Sequence, residues 1–144
     1  MPIRPENRDR YPPDWPEISR RVREEAGRRC EACAAPNGEL IRRGRDASGR
    51  ALWRPASATA YEDGFCAETG VEVPDTGADT VDWGNPVKVV LTVAHLDHRP
   101  ENVDRANLRA WCQRCHNAYD APIRRAGISQ RRRAAAAVGD LIGQ

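Results

Sequence analysis

The sequence predicts an α+β fold: a small zinc-stapled domain with flanking helices and an irregular insertion. Three observations predict it. Cysteines recur as Cys30-x-x-Cys33 and Cys112-x-x-Cys115. An alternating apolar run, Val87, Val89, Leu91 and Val93, is answered by a second apolar stretch at residues 108–111, as two strands of a hairpin would be. Ile18, Val22 and Ala26 recur at steps of four, the period of a helix with one apolar stripe. A chain of 144 residues is most economically one domain with one modest core. One phenylalanine, one methionine and a mean hydropathy of −0.74 keep that core thin, the condition in which a metal staple matters.

Residues 1–13 are rich in proline and charge without periodicity and read as an extended arm. A helix start follows at Asp14-Trp15-Pro16-Glu17, with aspartate as the cap, proline in the first turn and glutamate three residues after the cap. Gly27 is its stop, and Cys30 and Cys33 then sit on a turn. Residues 38–86 read as the insertion, with short hairpin pieces at 38–44 and 51–54 and an exposed loop over 67–86, a length that compact domains seldom leave structureless. Cys66 has no second cysteine nearby and reads as a spare thiol. Residues 87–94 form the first strand of the hairpin and 108–111 the second. Gln113 to Asp120 reads as a helix ended before Pro122, because the residue preceding a proline avoids the helical region. Ser129 then caps a last helix, Gln130 to Ile142, built on an alanine run. The expected divisions are the arm, a domain over 14–121, and a basic helical tail over 122–144.

The net charge of +2 is too small to argue for nucleic acid by itself. Its distribution says more, since arginine supplies nearly all the positive charge and is clustered. Arg20, Arg21 and Arg28 on and after the first helix, and Arg131, Arg132 and Arg133 on the last, are candidates for phosphate contact. A solvated helix face accounts for them equally well. No stretch approaches the roughly 20 apolar residues of a membrane span, and the N-terminus has no apolar signal core. No membrane partner and a cytoplasmic location are therefore the expectation. In a reducing compartment paired C-x-x-C turns read as a zinc site before they read as disulfides.

Cys30, Cys33, Cys112 and Cys115 have the spacing of a four-thiolate knuckle, in which each tight turn aims two sulfurs at one tetrahedral ion. Such a site is closed to water and belongs to folding. The wide separation of the pairs would tie the N-terminal helix to the hairpin.

All three histidines, His95, His98 and His116, lie between Val87 and Asp120. There an apolar run ends in a histidine, a polar loop follows, Asn107-Leu108 leads into the second strand, and Cys112-x-x-Cys115 runs directly into His116. This stretch, about a quarter of the chain, resembles the HNH endonuclease family, and the helix running into Cys30-x-x-Cys33 resembles its phage and prophage members. The resemblance implies a ββα-metal fold and metal-dependent hydrolysis or nicking of DNA, with Mg, Mn, Ni or Zn as the catalytic ion. It implies His95 as general base, Asn107 as the brace of the loop and His116 as metal ligand from the helix. DNA is the implied partner, with phage packaging proteins as a further class. The family usually places Asp or His immediately before the first histidine, as second metal ligand, and this chain has Ala94. Asp97 or His98 could supply the missing donor, His116 could hold the ion with water and substrate phosphates, or the site could be degraded into a nucleic-acid-binding or packaging-adaptor module. His98 reads equally as loop surface, and His116, adjoining Cys115, could approach the structural zinc instead.

Overall fold

A computed structural model describes residues 3–59, 64–74 and 81–142. Parts of the expected arm (1–2), insertion (60–63 and 75–80) and tail (143–144) lie outside the described residues. The chain is α+β. Helix α1 spans Trp15–Glu25 and buries Ile18 and Val22 as the four-residue stripe requires. Asp14 occupies the cap position without a side-chain cap bond. Its carbonyl instead accepts the Glu17 and Ile18 amides, both at 3.0 Å, while the Glu17 carboxylate turns to Arg20. Gly27 and Arg28 then take positive φ, +66° and +57°, which reverses the chain into the first cysteine turn.

The expected irregular insertion is largely a sheet. Strands β1 (Leu40–Arg45), β2 (Ala51–Pro55), β3 (Gly64–Cys66), β4 (Glu72–Val73) and β5 (Val87–Lys88) form one antiparallel sheet in the order β4-β3-β2-β1-β5. Ile41, Leu52 and Trp53 are fully buried in it. The stretch expected as an exposed loop also buries Ala67 and Val81. Val81 and the Asp82 carbonyl press on β1 at Gly44, where an added methyl would meet them at 2.6 and 2.9 Å. Only a residue without a side chain permits that approach.

The run expected as one strand over 87–94 is divided between two sheets. After β5 the chain turns at Val89 and Val90, and β6 (Leu91–His95) pairs antiparallel with β7 (Leu108–Cys112), Val93 opposite Ala110 and His95 opposite Leu108. The switch is pinned from residues 37–39: the Val89 amide donates to the Glu39 carbonyl at 2.9 Å and the Leu91 amide to Asn37 Oδ1 at 3.0 Å. Val93, Leu108 and Ala110 pack on Ile18 and Val22 of α1. The four cysteines meet Ile41, Trp53, Val89 and Leu91 in the second part of the core.

Helix α2 starts directly after β7 and runs unbroken over Gln113–Ile142. The expected break at Pro122 does not occur. The helix continues through the proline at the loss of the one backbone donor that would meet the Ala118 carbonyl, while the Arg124 guanidinium donates to the Asn117 carbonyl at 2.7 Å. The expected extended arm is also more ordered than its composition suggests: residues Pro5–Arg10 form a 3-10 helix. Among the described residues no helix is long and apolar enough to cross a membrane.

Candidate functional site

Two side-chain clusters flank the β6–β7 hairpin, and among the described residues only the four cysteines bring their donor atoms together as a metal site would. At the far end of the hairpin, Cys30, Cys33, Cys112 and Cys115 converge with their sulfurs all within 4.8 Å of one another. Tetrahedral zinc with bonds of about 2.3 Å sets its sulfurs about 3.8 Å apart, and the Cys33 and Cys112 sulfurs lie 3.7 Å apart. The donor set and spacing therefore fit zinc. The turns are built for the purpose: Ala34 takes φ +60°, and its amide donates to the Cys30 carbonyl at 2.8 Å. The Trp53 indole donates to the Cys33 carbonyl at 2.8 Å, and the Arg43 guanidinium reaches the Cys112 sulfur at 3.6 Å, a cation beside the group that would carry thiolate charge. Hydrogen bonding among the clustered thiols pulls Cys112 below the ordinary thiol range and pushes Cys115 above it. Cys66 is buried outside this cluster, in agreement with its reading as a spare thiol.

The second cluster lies on the α2 side of the hairpin. His116, in the first turns of α2, has its Nδ1 2.7 Å from the Thr92 hydroxyl of β6. Its Nε2 lies 3.3 Å from Asp120 Oδ2, one helical turn on. The other Asp120 oxygen lies 3.4 Å from His98 Nδ1. His98 holds φ +58°, a conformation costly for a residue with a side chain. Its ring is stacked on Tyr119 at 5.2 Å. Asp120 is thus the common partner of two histidines, and sequence reasoning missed it. The signal was present, since His116 and Asp120 are four apart and share a helix face. Burial holds the His116 imidazole below its ordinary pKa against the raising effect of Asp120.

Asn107 braces the loop between the strands. Its side-chain oxygen accepts the Asp97 amide at 3.0 Å, and its nitrogen donates to Asp97 Oδ1 at 3.0 Å and to the Asn102 carbonyl at 2.9 Å. Asp97 is spent inside the same loop. Bonds from the Asn102 amide group, the Arg99 amide and Asn107 hold its carboxyl at about 2. That engagement argues against Asp97 as the substitute for Ala94.

His95 stands apart from His116. Side chains alternate across a strand, so His95 shares the face of Val93 toward α1, whereas Thr92 and Ala94 share the face toward α2. The His95 ring stacks on Trp15 with centroids 4.8 Å apart and meets the edge of Tyr11 at 5.7 Å. It is 8% exposed, and its Nε2 is buried without a hydrogen-bond partner. Burial lowers its pKa, with Asp97 opposing.

The arginine candidates differ in availability. Arg20 is held by Glu17 at 2.5 Å and Glu24 at 2.7 Å along its own helix. Arg21 and Arg28 are exposed, as are Arg131, Arg132 and Arg133 on α2. Comparison with family models, with curated proteins and with solved structures gave no match to the chain.

Proposed function

We propose that the protein is a metal-dependent DNA endonuclease or nickase of HNH type, with zinc in the four-cysteine site serving the fold. The observation that carries this reading is the Asp120 carboxylate set between His98 and His116 on the helix that follows the cysteine hairpin. Two ligands of one ion with bonds near 2.1 Å stand roughly 3 Å apart when adjacent. The Asp120 oxygens lie 3.4 Å from His98 Nδ1 and 3.3 Å from His116 Nε2, each pair close to that spacing. The three donors do not all lie within 4.8 Å of one another, so an ion held by all three would draw the two imidazoles together. Two imidazole nitrogens and a carboxylate suit Zn, Ni or Mn. In this reading Asp120 supplies the oxygen donor that Ala94 lacks. A divalent ion held there would stabilise charge on a phosphodiester and its leaving oxygen.

The remaining work falls to the chain itself. Thr92 fixes the His116 ring so that Nε2 is the ligating nitrogen. Asn107 and Asp97 hold the loop that delivers His98. His95, neutral near pH 7 because burial depresses its pKa, is the base that would take a proton from water. A nickase with these roles cuts supercoiled plasmid only when Mg²⁺, Mn²⁺ or Ni²⁺ is added. His95→Ala should slow it by roughly 10²–10⁴-fold, and His116→Ala should raise the metal concentration required. Absence of cleavage with every one of these ions would sink the reading.

A second reading, a zinc-knuckle nucleic-acid-binding or packaging-adaptor module without cleavage, is favoured by Ala94 and by the stacking of His95 beneath Trp15. A salt-dependent DNA shift without cleavage would select its nucleic-acid-binding form, and no DNA affinity at all its adaptor form.

A further inference from the structure

Arg10, the last residue of the 3-10 helix Pro5–Arg10, and Tyr11 after it reach the end of the β6–β7 hairpin and its loop. Tyr11 closes over the His95 ring edge-on, and Trp15 covers its face. What anchors this segment to the loop between β6 and β7 is a two-pronged ion pair: Arg10 Nε donates to Glu101 Oε1 at 2.6 Å and its terminal nitrogen to Oε2 at 3.3 Å. Both side chains are about half exposed. Beside the pair is an open cleft of about 520 Å³ lined by Arg10, Arg99, Glu101 and Asn102, so segment and loop are not packed together there.

A buried imidazole nitrogen without a partner is a costly arrangement, and it persists only while the cover excludes water. An exposed ion pair is a weak fastening that salt screens. We propose that residues 5–11 are a strap fastened by Arg10 and Glu101, which shields His95 when closed and admits water and substrate to Nε2 when it lifts. The significance of the strap for cleavage rests on the nuclease reading. Its existence as a shield does not.

The test therefore reads the imidazole and not catalysis. The full-length, zinc-loaded protein is treated with diethyl pyrocarbonate near pH 7, and acylation of His95 and His98 is followed by mass spectrometry. His98 lies outside the strap and serves as the internal reference. In wild type at low salt His95 should react more slowly than His98. Arg10→Ala and, separately, Glu101→Gln should accelerate His95 by about fivefold, the factor that loss of a strong surface ion pair permits, and leave His98 unchanged. The charge-reversed pair, Arg10→Glu with Glu101→Arg, should restore the slow rate. Equal His95 rates in wild type and both single variants, or a wild-type His95 as reactive as His98, would overturn the proposal. Parallel acceleration of both histidines would also count against it, since that reports general loosening. A protein that fails to cut DNA yet shows the selective acceleration keeps the strap and loses the nuclease reading.

Discussion

The indole of Trp15 stacks on the imidazole of His95, their planes inclined by 29°, and joins the start of α1 to the end of β6. The contact explains why His95 resists protonation. Burial lowers its pKa below the value of about 6.5 expected in an unfolded chain. A histidine depressed in the native state contributes stability that is complete above the unfolded pKa. The contribution is lost as pH falls below that value, and the loss levels off at the native pKa. Urea unfolding in excess zinc should thus show stability declining as pH falls below about 6.5, and His95→Gln should remove part of that decline. A pH dependence identical in the two proteins would contradict the assignment.

Asp120 makes a different prediction. If it completes a divalent site with His98 and His116, Asp120→Asn should weaken Mn²⁺ binding by at least roughly tenfold, since even outer partners of metal ligands are worth that much. Electron paramagnetic resonance of free Mn²⁺ measures this without any cleavage assay. Zinc content should not change, because the four-cysteine cluster is separate. Unaltered Mn²⁺ affinity would reduce Asp120 to an ion-pair partner of the two histidines.

The cysteine cluster belongs to the larger part of the core, where Cys33 and Cys112 are almost fully buried. Loss of a structural zinc removes folding free energy on the order of 10 kcal/mol in small zinc domains. Cys112→Ser, or a strong chelator, should abolish cooperative thermal unfolding and the tryptophan near-ultraviolet signal. Metal analysis of wild type should give about one zinc per chain.

Gly44 is tested by a single methyl. In Gly44→Ala the new carbon meets Val81 Cγ1 at 2.6 Å and the Asp82 carbonyl at 2.9 Å. The second is backbone and yields less easily than a side chain. Overpacking of this kind costs about 1–3 kcal/mol, to be read as a lower urea midpoint at unchanged slope. Gly49→Ala, at a position whose φ is +84° in open space, would be strained by backbone conformation alone and separates the two causes.

The parts of this protein legible in its sequence are those where one signal carries the information. Paired C-x-x-C turns identify a zinc-type cluster at any separation. The stripe Ile18–Val22 and the alternation through Leu91 and Val93 define the helix and strand that bury them. In the five-stranded sheet the hairpin pieces at 38–44 and 51–54 were legible as β1 and β2, whereas β3, β4 and β5 are only two or three residues long, too short to show alternation. The break in the run at Val89 depends on Asn37 and Glu39, which lie far back in the chain, before β1. Asp120 was hidden by the expectation of a helix ending there, and the burial of His95 by a proline-rich arm that carries Tyr11 to it.

The unbroken passage of α2 through Pro122 has a thermodynamic consequence. The 20 residues from Ile123 to Ile142 extend roughly 30 Å, and side chains from Ile123 to Gly139 are exposed almost throughout. A segment of that kind has little tertiary packing to hold it, and an isolated helix of this length is marginal in water. Its alanines favour the helix while Arg131, Arg132 and Arg133 repel one another along it. Helicity of this half should therefore fade gradually on warming, before and independently of the cooperative melting of the core. Polyanions or added salt, by neutralising the arginine run, should shift that fading to higher temperature.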